Sequence, residues 1–141
     1  MFEDAGMQKN ADIGKLKSLV DHIHAATPLN PKEFTEYVDY FSNRYFNPDG
    51  SQTYTLDGLK FRTNPTDQAE KAEIEAVLFK QVQSPDMVLK ALLIILYRFR
   101  NNLFHGEKQM VNIEGQITNF IVANHILKMM LEKMKHLGMF N

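Results

Sequence analysis

Cysteine is absent from the 141 residues. That gap removes disulfides, thiolate nucleophiles and thiolate metal sites together, and it fits a reducing compartment. A charge excess is absent too: 16 Lys and Arg stand against 17 Asp and Glu, a formal net charge of −1. No global positive field draws in nucleic acid, so any such role must rest on a local cationic patch. Long hydrophobic runs are also missing. The longest, Ala91 to Tyr97, falls far short of the about 20 residues that a membrane span needs. The start, Met1-Phe2-Glu3-Asp4, lacks the basic residues and apolar stretch of a secretory signal. No H-E-x-x-H, glycine-rich phosphate loop or G-x-S-x-G occurs, which sets aside zinc proteases, P-loop enzymes and serine hydrolases of the usual kinds. The expectation is a cytoplasmic protein with no cofactor, no metal and no membrane partner.

What is present reads as helix. Hydrophobic residues make up 44% and charged residues 23%, ordinary values for a single globular domain over residues 1–141. Ile13, Leu16, Leu19, Val20 and Ile23 recur at steps of three and four, predicting a first helix from about Gln8–Asp12 to Ala26. Thr27-Pro28 stops it, because the proline ring disfavours a helical residue before it. Asn30-Pro31-Lys32-Glu33 starts a second helix, with Asn30 as cap, proline in the first turn and Glu33 placed for a capping box. Phe34, Tyr37, Val38, Phe41 and Tyr45 mark its inner face to about Phe46.

Between Asn47 and Asn64 the pattern changes. Tyr54 and Leu56 alternate with threonines, Asp57-Gly58 follows, and Leu59 and Phe61 alternate with Lys60 and Arg62. Asp-Gly between alternating segments is a strong hairpin signal, because a type I′ turn needs positive φ at both centres. A β-hairpin insertion is therefore expected over about residues 50–64. Asn64-Pro65 then opens a third helix to roughly Gln83, and Ser84-Pro85-Asp86 a fourth to about His105, ended by Gly106. A fifth runs from Gln116 to Leu137, closed by Gly138.

The fold class expected is all-α: an antiparallel bundle of about five helices carrying that hairpin between helices two and three. In the fourth helix, Leu92 to Tyr97 cover every angular position. Its middle must be surrounded, within the bundle or partly by a second subunit. No heptad seam is evident.

That helix leaves the core through a cluster of polar residues. Arg98, Arg100, Asn101, Asn102, His105 and Lys108 stand close together at its C-terminal end. Cations there suit the helix dipole, and asparagines suit fraying ends, so a helix terminus alone could account for them. The combination Arg100-Asn101-Asn102-Leu103-Phe104-His105, followed by Gly106, points further. It resembles the R-N-x-x-x-H motif of the HEPN superfamily, which lies near the end of a long inner helix followed by one more helix. The resemblance covers about Ser84 to Leu137.

The resemblance implies a metal-independent endoribonuclease, in the manner of a toxin or phage-defence effector, with Arg100, Asn101 and His105 catalytic. Arg98, Asn102 and Lys108 become candidates for substrate binding. An imidazole titrating near 6.5 can move protons at neutral pH, and a guanidinium offers a planar fork to phosphoryl oxygens. One histidine cannot be both base and acid. The family solves this by pairing two protomers, so RNA and a homodimer with a composite active site are the implied partners. The alternative is a catalytically inactive HEPN module that binds RNA or a nucleotide and partners a nucleotidyltransferase, an antitoxin or another protein.

Spacing leaves one ambiguity. At about 100° per residue, Arg98 lies within roughly 20° of His105, whereas Arg100 lies roughly 140° away. The motif favours Arg100 and the helical wheel favours Arg98. Other candidates are weaker. His22 and His24 diverge on one helix, while His125 and His136 share a face three turns apart, so neither pair has metal-ligand spacing. Met129, Met130 and Met134 read as core filler. Tyr54, Phe61 and Arg62 could stack on RNA, although packing of the hairpin onto the bundle is the plainer expectation.

Overall fold

A computed structural model describes the backbone of residues 2–104 and 113–139, and the side chains of residues 12–100 and 117–139. Among the described residues the chain is all-α, with five α-helices and two 3-10 segments and no strand. The α-helices are α1 (Phe2–Ala26), α2 (Thr35–Tyr45), α3 (Pro65–Leu78), α4 (Pro85–Phe104) and α5 (Ile113–His136). The 3-10 segments are Pro31–Glu33 and Tyr54–Leu59.

Local chemistry sets most boundaries. Asn64 caps α3, its Oδ1 accepting the Asp67 N–H at 2.8 Å, with Pro65 in the first turn. Asn30 likewise accepts the Lys32 N–H, but what it opens is the short 3-10 turn, and α2 starts after Phe34. Glu33 does not close a capping box; its carboxylate pairs with Lys133 of α5 at 2.9 Å. α3 stops at Leu78, five residues before the expected Gln83. Lys80 adopts φ 61, while Gln81 N–H reaches Ala76 O and Lys80 N–H reaches Val77 O. That is a Schellman close, with lysine where glycine is usual. Gly138 ends α5 in the same way at φ 76.

The expected β-hairpin is not formed. Asp57-Gly58 lies inside the second 3-10 segment, and the only pairing nearby among the described residues is an isolated bridge between Phe46 and Gln52. The reason is tertiary. Thr53 and Thr55 hydroxyls both donate to Arg44 O at the end of α2, and Leu56 and Leu59 are buried in the core. These links gather the segment into a cap over the bundle instead of extending it.

α4 is the central element, packed against α1, α2, α3 and the second 3-10 segment. Leu89, Leu92, Ile94 and Ile95 are fully buried, each contributing about 1.5–3 kcal/mol of transfer free energy. The all-round apolar middle of α4 is therefore enclosed by its own chain, and it calls for no second subunit. α5 differs. One face buries Asn119, Ala123, Ile126 and Met130, while Ile117, Phe120, Ile121, Leu127 and Leu131 are exposed.

Candidate functional site

Three consecutive residues fix the end of α4. The Tyr97 hydroxyl donates to Asp12 Oδ2 of α1 at 3.0 Å. Arg98 turns to α3 and the second 3-10 segment. The Phe99 ring meets Phe120 of α5 edge to face, with centroids 5.4 Å apart. Steps of about 100° send the three side chains in three directions, and each meets a different partner. The next residue, Arg100, is exposed.

Arg98 is the most heavily engaged side chain of the region, only 4% exposed. Its Nε and Nη2 donate to Glu70 Oε1 at 3.2 and 2.8 Å, and Nη2 lies 3.1 Å from Asp67 Oδ1. Nη1 donates to the carbonyls of Leu59 and Lys60 at 3.1 and 3.3 Å. Its guanidinium carbon sits 4.1 Å from the Phe61 ring centroid. Asp67 also accepts the Arg62 N–H at 2.9 Å. A cation so enclosed has no donor aimed outward. This placement does not suit the expected substrate contact at Arg98: the arginine that would share a face with His105 on an ideal helix is turned into the core, while Arg100 stays roughly 140° from His105 on that wheel.

Asn101 and Asn102 lie within the helical backbone of α4, but their side chains fall outside the described residues. So do His105 and Lys108. The structure thus brings Arg98 and Arg100 to one helix end, facing inward and outward respectively. Of the expected RNA-stacking residues, Phe61 lies against Arg98, while Tyr54 and Arg62 are exposed. His24 accepts the Leu29 N–H through Nδ1 at 3.1 Å, closing the α1 end; His125 and His136 are exposed.

Sequence reasoning missed Asp67 and Glu70, and it named Phe61 without its partner Arg98. The two acids stand three apart on a helix rich in Glu and Lys, a pattern indistinguishable from a solvated face. Only their burial, at 3% and 6% exposure, sets them apart. A groove between α1 and α3, lined by Ile13, Gly14, Lys17, Pro65, Glu70 and Glu73 among others, carries more acid than base. Its Lys17 pairs with Glu73 at 3.0 Å, so it is ill suited to a phosphate. Among the described residues no group of three or more His, Asp or Glu could hold a metal ion, and no helix is long and apolar enough to cross a membrane.

No protein-family model, curated protein or solved structure matches this chain.

Proposed function

We propose that this chain is a metal-independent endoribonuclease whose site is built on Arg100 and Asn101 of α4 and on His105, which follows them in the sequence. What supports the reading is the setting of Arg100. The motif's arginine is the first exposed residue after three that are tethered to α1, α3 and α5. A cation carried on so firmly held a helix end is oriented before substrate arrives, the condition under which electrostatic stabilisation acts most strongly.

In the reaction, the ribose 2′-hydroxyl loses its proton to an imidazole and its oxygen attacks the adjacent phosphorus. The P–O5′ bond breaks, leaving a 2′,3′-cyclic phosphate and a 5′-hydroxyl that takes up a proton. Arg100 neutralises the charge that builds on the phosphoryl oxygens. Asn101 orients either the phosphate or His105. A second copy supplies the second imidazole, and a toxin or phage-defence role follows for such an enzyme. Arg98 is then a positioning residue and not a substrate contact.

The second reading is an inactive RNA- or nucleotide-binding module that partners a nucleotidyltransferase or an antitoxin. The net charge of −1 favours it, since a general RNA nuclease gains from a basic surface. RNA incubated with purified protein in EDTA separates the two. Cleavage to cyclic-phosphate ends, abolished by His105→Ala and reduced about 10²- to 10³-fold by Arg100→Ala, is the expected result. RNA binding without cleavage supports the module, and an undiminished Arg100→Ala rate removes Arg100 from the site.

A further inference from the structure

Among the described residues, five of the seven exposed large hydrophobic side chains lie on α5: Ile117 (52%), Phe120 (43%), Ile121 (52%), Leu127 (46%) and Leu131 (52%). They lie on the side of the helix away from the buried Ala123, Ile126 and Met130. Together they present about 500 Å² per chain, at the upper end of patches on ordinary monomers. We infer that this outer face of α5 docks antiparallel on the same face of a second copy, about a twofold axis passing through Asn124. The inference stands whether or not the chain cleaves RNA.

The order of residues argues for self-pairing. Counted from the exposed Asn124, apolar side chains stand three and seven residues away on both sides: Ile121 and Ile117 before it, Leu127 and Leu131 after it. The seam therefore reads alike from either end, as an isologous twofold contact requires. Ile117 meets Leu131 of the other copy, and Ile121 meets Leu127. Asn124 meets itself, and an amide both donates and accepts, so two related amides can satisfy each other. One asparagine in an apolar helix seam is also a known device for fixing register.

At the four-residue offset the seam is not symmetric: Phe120 precedes and Lys128 follows. Antiparallel pairing sets each Lys128 beside the other copy's Phe120, with its stem on the ring face and its ammonium near the π cloud. Parallel pairing would set Lys128 beside its own copy, two like charges across a seam. Complete cover of both faces would bury about 1,000 Å² in total, the threshold for a specific interface.

The absence of cysteine makes the test clean. Sedimentation of the purified chain at about 100 μM should show a dimer, with Leu127→Lys weakening it roughly tenfold or more while circular dichroism keeps its helix content. Under mild oxidation, Asn124→Cys should form a disulfide with its own copy. Ile117→Cys should not cross-link alone, but should do so when mixed with Leu131→Cys. A monomer at that concentration overturns the proposal, as it leaves the face to a different protein. So does Ile117→Cys cross-linking to itself, which marks a parallel pair. Should Leu127→Lys fail to fold, the cysteine pairs still decide. Loss of RNA cleavage in an otherwise intact dimer bears on the nuclease reading alone.

Discussion

A buried guanidinium facing two buried carboxylates makes Arg98 the residue whose loss should be felt most. Arg98→Ala would leave Asp67 and Glu70 uncompensated inside the fold, at a cost of about 3–5 kcal/mol. Urea denaturation should show the drop. Arg98→Lys should recover little of it, because a point charge cannot serve Glu70 and the Leu59 and Lys60 carbonyls with one planar fork. Tyr45 gives the pH dependence. Burial raises its phenol well above the ordinary value, outweighing nearby Arg44. The folded state thus favours the neutral phenol. The stabilisation is full below the unfolded value near 10 and is lost as pH rises from there toward the folded one. Unfolding at about pH 9 and about pH 11 should show wild type losing stability across the interval, and Tyr45→Phe losing less. Tyr40, also raised by burial, accounts for part of what remains.

The elements differ in how far their own residues dictate them. α3 carries both its ends locally, and α5 its C-terminal one. Asn64→Ala should cost about 1 kcal/mol of stability, and Asn64→Gly only a few tenths, since glycine also tolerates the cap position. The second 3-10 segment is the opposite case. Asp57-Gly58 has the chemistry of a tight turn, yet the Arg44 carbonyl and the Arg98 guanidinium draw the neighbouring residues into another shape. Both lie well outside the segment, so no window around Asp57-Gly58 reveals them. A substitution separates the two shapes. Gly58 is not in the positive-φ region and a Cβ there would meet nothing within 4 Å. Gly58→Ala should be neutral or stabilising by up to about 1 kcal/mol in thermal unfolding, whereas a type I′ hairpin would lose stability. The polar cluster that begins at Arg98 can be read from the sequence because its residues are contiguous. Its three anchors cannot, because Asp12, Glu70 and Phe120 come from other helices. α5 hid its second face for another reason: with apolar residues at most angular positions, its periodicity alone does not say which half meets the core.

Across the whole molecule, the enclosed middle of α4 and the bare outer face of α5 reverse what the hydrophobic run alone suggests. The most apolar helix is satisfied within one chain, and the surface in want of a partner is on the last helix. The two are linked through Phe99 and Phe120. Phe120 belongs both to the ring contact at the end of α4 and to the α5 face, four residues, or about 6 Å along the helix, from Asn124. Self-association should therefore tighten the end of α4 that carries Arg100. On the proposed nuclease reading, cleavage rate per chain should rise with protein concentration through the dimerisation range, and Leu127→Lys should flatten that rise. A rate per chain independent of concentration would disconnect the two surfaces.

The tethers at Tyr97, Arg98 and Phe99 also order events in time. Asp12 and Glu70 leave the ribosome before α4 does, but Phe120 follows it, so the third clamp closes only after α4 has been made. A chain truncated before Phe120 should retain the Arg98 cluster yet show no cleavage, measurable on stalled nascent chains. On the proposed nuclease reading, the site would stay unarmed until α5 has been made and has folded onto α4.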